Sequence, residues 1–283
     1  MLRGLASTLR PANALVSPTA VDPGKRRASA KRYGAYLRGV TPEEPIPSLL
    51  VLGGTELGGI SPDAASRLLG QTKVIALLAY LAVAARGRYV RRDRLVGLLW
   101  PELDQTHARA ALRKVVHTIR ATLGDTVLLT RGDEELALSA ENMSCDAVQF
   151  ALNADAGHLL DALELYRGDL LEGFHLAECG EYMMWLDAER SAIQERAAAA
   201  AVALSRKLEV DEQYTMAGAW ARRAIRFSWS NERVLRQALS MLDRLGDRAG
   251  ALRLFEDFSK RLRRELDAEP SAETLAVVAK LRA

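Results

Sequence analysis

The stretch that most constrains this chain is residues 106–124, THARAALRKVVHTIRATLG. Turned at about 100° per residue, Ala108, Leu112, Val115, Val116, Ile119 and Leu123 fall within about 80° of arc. Arg109, Arg113, His117 and Arg120 gather on the adjoining arc, with Lys114 further round. Such a helix buries one face in a core and turns a cationic face outward, and Gly124 supplies its C-terminal stop. The rest of the fold must give the apolar face a wall and leave the basic face open.

The flanking text supplies that wall. Residues 49–52 and 56–60 predict two short strands around a Gly53-Gly54 turn. These glycines are not a phosphate loop, because no GxxxxGK[ST] follows them. Residues 72–85 predict a helix with Val74, Leu77, Leu78, Leu81 and Ala85 on one face, ended by Arg86-Gly87. A brief extended pair at 89–90 precedes a second helix over 92–100, with Leu95, Leu98 and Leu99 inward and Asp93 in the first turn. Pro101 stops it. After the basic helix, 126–131 and 134–138 flank Gly132-Asp133 as a hairpin. Strand pair, two helices, basic helix and hairpin follow the order of a winged helix-turn-helix, whose third helix enters the DNA major groove. Arg and Lys suit that place because they donate to phosphates and to guanine O6 and N7.

Charge is distributed unevenly along the chain. Residues 1–40 carry eight Lys/Arg and one acid, 48–144 twelve against ten, and 145–283 nineteen against twenty-three. A basic front and an acidic back suit a chain whose front meets a polyanion. Residues 1–47, closed by TPEEPIP, predict a disordered basic arm and linker; an organellar transit peptide shares that composition. Cys145 and Cys179 are the only cysteines, with no metal-ligand spacing, which fits free thiols in a reducing compartment. No apolar run reaches the roughly 18 residues of a membrane span. The expected location is the cytoplasm.

From Asp146 the text is almost wholly helical, with segments near 146–153, 156–166, 178–208, 212–227, 231–245, 247–265 and from Ser271. AGAW at 217–220 recurs as AGAL at 249–252, a spacing of 32 that approaches the tetratricopeptide period. Small residues at Ala217, Ala219, Ala249 and Ala251 predict close helix packing in an array whose groove binds a peptide or protein. The predicted division is a winged helix-turn-helix over 48–144 and an all-α, tetratricopeptide-like array over 145–283, in a mostly α chain.

Five motifs in succession carry a family resemblance: LLAYLAVAARGRYVRRDRLVGLLWPE (77–102), ARAALRKVVHTIRATLG (108–124), YRGDLLEGF (166–174), WLDAER (185–190) and ELDAEPSAET (265–274). Together they resemble the bacterial transcriptional activator domain proteins, including the antibiotic-regulatory-protein (SARP) type, over roughly 48–283. The resemblance implies a transcriptional activator that binds promoter direct repeats in double-stranded DNA as a homodimer and recruits RNA polymerase. It places the recognition helix at 106–123. The groove-facing candidates are then Thr106, Arg109, Arg113, Lys114, His117 and Arg120, with Arg131 at the wing and the loop 101–105 towards polymerase. Two departures stand out. Arg91 replaces the family's usual helix cap, and the wing carries Asp133-Glu134-Glu135, which would repel phosphates.

An adaptor that binds proteins through the helical array, with a winged helix that has lost DNA, is the alternative these acids favour. An enzyme has little support. Glu181 and Asp187 in the acid-rich stretch lie on different helix faces, and His158 and His175 are isolated. No cofactor is expected.

Overall fold

The apolar run at the start of the folded region becomes β1 (Ser48–Leu50), paired antiparallel with β2 (Glu56–Gly58) through Leu49 opposite Leu57. The computed structural model describes residues 46–283; the basic arm expected over 1–47 lies, up to residue 45, outside the described residues. Helix α1 (Pro62–Leu69) follows, an element absent from the sequence reading although Ala64, Ala65 and Leu68 form its buried stripe. Its signals are local: Ser61 accepts from the Ala64 N–H as N-cap, and Pro62 stands at the first position.

Helix α2 (Thr72–Ala79) runs on as a wider π-helical stretch, Tyr80–Ala85. Val74 to Ala79, Leu81, Ala82, Val83 and Ala85 are all buried, so this helix is apolar nearly all round and forms the centre of the N-terminal region. It stops where Arg86 and Gly87 both take positive φ. The chain then forms β3 (Val90–Arg91), α3 (Arg92–Leu99), α4 (Gln105–Leu123) and the hairpin β4 (Leu128–Arg131) and β5 (Glu135–Leu138). β3 joins that hairpin in the order β3-β5-β4, with Val90 opposite Leu136. Two small sheets, a helix-turn-helix and a hairpin make the winged helix-turn-helix.

Strand β6 (Ser144–Cys145) runs back parallel to β1, an element absent from the sequence reading. It delivers Asp146, the first residue of α5 (Asp146–Asp155), into the interior. The carboxylate accepts from the N–H groups of Val51 at 2.8 Å, Leu52 at 3.1 Å and Ala147 at 2.8 Å, and meets the Arg167 guanidinium at 3.3 Å. Burial pushes this carboxyl up, opposed by those amides and by Arg167. Around it the YRGDLLEGF motif finds its purpose. The Leu171 N–H donates to Val51 O at 2.7 Å, and Gly53 lies so close that a Cβ there would stand 2.6 Å from the Arg167 carbonyl carbon.

After α6 (Leu159–Leu165), the long α7 (Gly180–Val210) packs on α8 (Tyr214–Phe227). Then α9 (Glu232–Arg244) packs on α10 (Arg248–Leu266), and α11 (Ala272–Arg282) closes against both. This is the tetratricopeptide-like array. The repeated AGA segments lie early in α8 and α10 as expected, but Ala219 and Ala249 are exposed. The close contacts are made instead by Ala217 with Gly218 and by Gly250 with Ala251, since a helix turn of ~100° per residue sends only part of each tripeptide inward.

The last two motifs are also joints. Arg190 of WLDAER donates to the carbonyls of Leu170 at 2.8 Å and Leu171 at 2.7 Å. Glu232 receives the Ser271 N–H at 2.9 Å and the hydroxyls of Ser271 and Thr274, fixing ELDAEPSAET on α9. One large hydrophobic cluster includes residues from Leu49 to Leu281, with Ala221, Ala238 and Met241 forming a small second one between α8 and α9. Between the two halves Arg94 pairs with Glu181 at 2.5 Å, and Tyr182 donates to Ala76 O at 3.3 Å. Lys73 donates to Leu99 O and stands 3.1 Å from the buried Cys179 sulfur. Both cysteines are free and buried, and the Cys145 thiol is pushed up to about 12 by burial.

Candidate nucleic-acid interface

Helix α4 is held by its apolar face. Ala108, Leu112, Val116, Ile119 and Leu123 are buried and Val115 packs against them at the margin, the stripe that periodicity predicts. Asp104 caps the helix, accepting from the N–H groups of Thr106 at 2.9 Å and His107 at 3.1 Å, while its second oxygen lies 2.5 Å from His107 Nδ1. The bonds to the His107 amide and ring hold the Asp104 carboxyl below the usual carboxylate range. The loop Pro101–Gln105 in front of it is exposed throughout.

The cations of α4 divide into two groups. Arg113, Lys114 and His117 are exposed, and among the described residues none of their side chains has an ion pair or hydrogen bond. Thr106 is exposed beside them at the helix start. Arg109 is half-exposed and already paired, its NH2 2.7 Å from Asp93 Oδ1 on α3, and that bond raises the guanidinium further. Arg120 is used inside the fold. It is half-buried and donates from NH2 to Leu128 O at 2.9 Å, tying the hairpin to the helix. Of the arc expected to gather Arg109, Arg113, His117 and Arg120, with Lys114 further round, Arg109 and Arg120 are thus engaged within the protein.

Arg131 at the hairpin also departs from a free phosphate contact. Its guanidinium stacks 4.1 Å from the Tyr89 ring and lies 3.3 Å from Glu135. Asp133 and Glu134 stand exposed at the turn, where Gly132 takes φ +55°. The missing cap at Arg91 has a replacement that the sequence does not show. Arg91 makes no side-chain cap, but the Glu134 carbonyl accepts from the Arg92 N–H at 2.8 Å, so the wing itself satisfies the start of α3.

Glu181 and Asp187 are paired with Arg94 and Arg190, and among the described residues no group of three His, Cys, Asp or Glu is placed to hold a metal. No single helix among them is long and apolar enough to cross a membrane.

The chain is similar to a solved structure of Mycobacterium tuberculosis EmbR in complex with a low-affinity phosphopeptide, with a TM-score of 0.58 and 20% identity. The match covers 84% of this chain and 64% of that one, so the chain spans less than two thirds of that relative's length. No curated protein matches significantly. The bacterial transcriptional activator domain model matches residues 137–282, about half of the chain, from the second wing strand to the last helix. The chain therefore belongs to the bacterial transcriptional activator domain family.

Proposed function

We propose that the protein is a non-enzymatic, SARP-type transcriptional activator that binds promoter DNA through α4. The observation that carries this reading is the trio Arg113, Lys114 and His117, exposed and without partners among the described residues on a helix whose opposite face is locked in the core. Three donors on one rigid helix are the chemistry that reads guanine edges and grips phosphates. Thr106 and Arg109 extend the same surface, Arg109 by exchanging Asp93 for phosphate. Arg120 and Arg131 support the surface and hold the wing in place. In this reading residues 48–144 bind direct repeats as a homodimer in the cytoplasm. The exposed loop 101–105 meets RNA polymerase, and 145–283 is the activation region.

The test is an electrophoretic shift of the full chain on random duplexes at about 50 and 200 mM salt, with the retained DNA sequenced. An enriched direct repeat, lost in a folded Arg113→Ala/His117→Ala variant, is the expected result. Undiminished operator affinity in that variant would remove α4 from the site. One observation favours a second reading, a protein-binding adaptor: the exposed acids Asp133 and Glu134 present negative charge where a wing meets phosphates. No retention of DNA at the lower salt would select it.

A further inference from the structure

A second cationic surface lies on the helical array, and it is not a face of the recognition helix. Arg206 of α7 and Arg233, Arg236, Gln237, Ser240 and Arg244 of α9 line an open groove of about 360 Å³, floored by Val277 of α11. Two of its four guanidiniums are neutralised within the protein. Arg236 binds Glu273 at 2.9 Å and the Thr274 hydroxyl at 3.1 Å, and Arg244 meets both oxygens of Glu209 at 2.8 and 3.0 Å. Arg206 and Arg233 are exposed and make no ion-pair contact among the described residues, Arg206 acting on Glu209 only through longer-range attraction. The groove is therefore a concave, positively charged site with two free forks and two neutral hydrogen-bonding side chains between them.

We infer that this groove binds an extended acidic segment of a partner protein. Arg233 and Arg244, the latter already holding Glu209, mark the two ends of the lining on α9, eleven positions and about 16 Å apart at ~1.5 Å per residue, a length that some five residues of extended chain would span. In such a chain alternate side chains point the same way, so an acid at every second position presents a row of carboxylates to the arginines. Guanidinium forks match carboxylates in shape as well as charge. Gln237 and Ser240 can donate to the peptide's carbonyls. Nucleic acid fits less well. None of the groove's lining residues is an aromatic on which the bases of a single strand could stack.

The test uses the full chain and a fluorescein-labelled hexapeptide of alternating Glu and Ala, read by anisotropy at about 50 mM salt. The expected result is saturable binding that weakens at least about tenfold in Arg206→Gln/Arg233→Gln, with unchanged circular dichroism and unchanged duplex-DNA affinity. Arg113→Ala/His117→Ala is expected to keep the peptide, which separates this groove from α4 and its failure from that of the DNA-binding reading. Absence of binding, equal affinity in the Arg206/Arg233 variant, or equal binding of a Gln–Ala hexapeptide would overturn the inference. So would displacement of the peptide by an equal concentration of hexathymidylate, which would make the groove a nucleic-acid site.

Discussion

Arg113 on α4 and Arg190 on α7 are both arginines of long helices within family-like motifs, and they are used in opposite ways. Arg190 turns inward and donates to the carbonyls of the 170–171 loop, whereas Arg113 stays in solvent without a partner among the described residues. The same division runs through the two regions. In the helical half Asp146, Arg167, Arg190 and Glu232 are joints between segments distant in sequence. In the winged helix Arg113, Lys114 and His117 are left over once Arg109, Arg120 and Arg131 have been taken up by Asp93, Leu128 and Tyr89. A charged side chain with its hydrogen bonds satisfied indoors reports on stability; one with none reports on what comes from outside.

The contrast can be broken most forcefully at Asp146. Asp146→Ala leaves three interior N–H groups without their acceptor and is expected to cost about 3–5 kcal/mol in chemical denaturation. Asp146→Asn, which keeps one carbonyl acceptor, should cost less. A stability within ~0.5 kcal/mol of the parent for the alanine variant would show that these amides have another partner. Next in size is Arg113→Ala. It should lower operator affinity by about 1–3 kcal/mol, read in a titration, and leave the melting temperature unchanged.

Arg120→Ala sharpens the division from within the same helix. It should lose about 1 kcal/mol or more of stability through the bond to Leu128, with base preference retained. If Arg120→Ala instead changed the sequence bound and not the stability, the two classes of cation would have been assigned the wrong way round. The smallest effect belongs to the wing. Asp133→Asn/Glu134→Gln should strengthen DNA binding by roughly 0.5–1 kcal/mol at low salt and by less at high salt, because those charges are exposed and screened.

Most of what has a local signature is plain in the sequence, although α1, capped by Ser61, is missing from that reading. The amphipathic stripe of α4, the hairpin around Gly132-Asp133 and the seven helices of the second half all follow from periodicity and punctuation, within a few residues at their ends. What the sequence hides is pairing over distance. β6 is two residues long, and nothing local marks it as the neighbour of a strand almost a hundred positions earlier. Arg120 and Arg113 are indistinguishable as letters on a wheel, and only the path of β4 makes one of them a strut. The cap of α3 is a backbone carbonyl of the wing, which has no side-chain signature at all. The motifs at 166–174 and 265–274 are visible as resemblance, but their reason is the close approach of Gly53 and the grip of Glu232.

The link from Val51 and Leu52 to Asp146 has a consequence in time. A ribosome releases β1 and Val51 early, yet the parallel neighbour of β1, the Asp146 acceptor of the Val51 N–H and the Leu171 N–H that donates to Val51 O all lie between residues 144 and 171. Long-range pairing of this kind is completed late and closes slowly. The β2-β1-β6 sheet therefore reaches its finished form only when the beginning of the helical array has also emerged. A nascent chain halted just past the wing carries every residue of the basic helix α4 without the strand that completes this sheet.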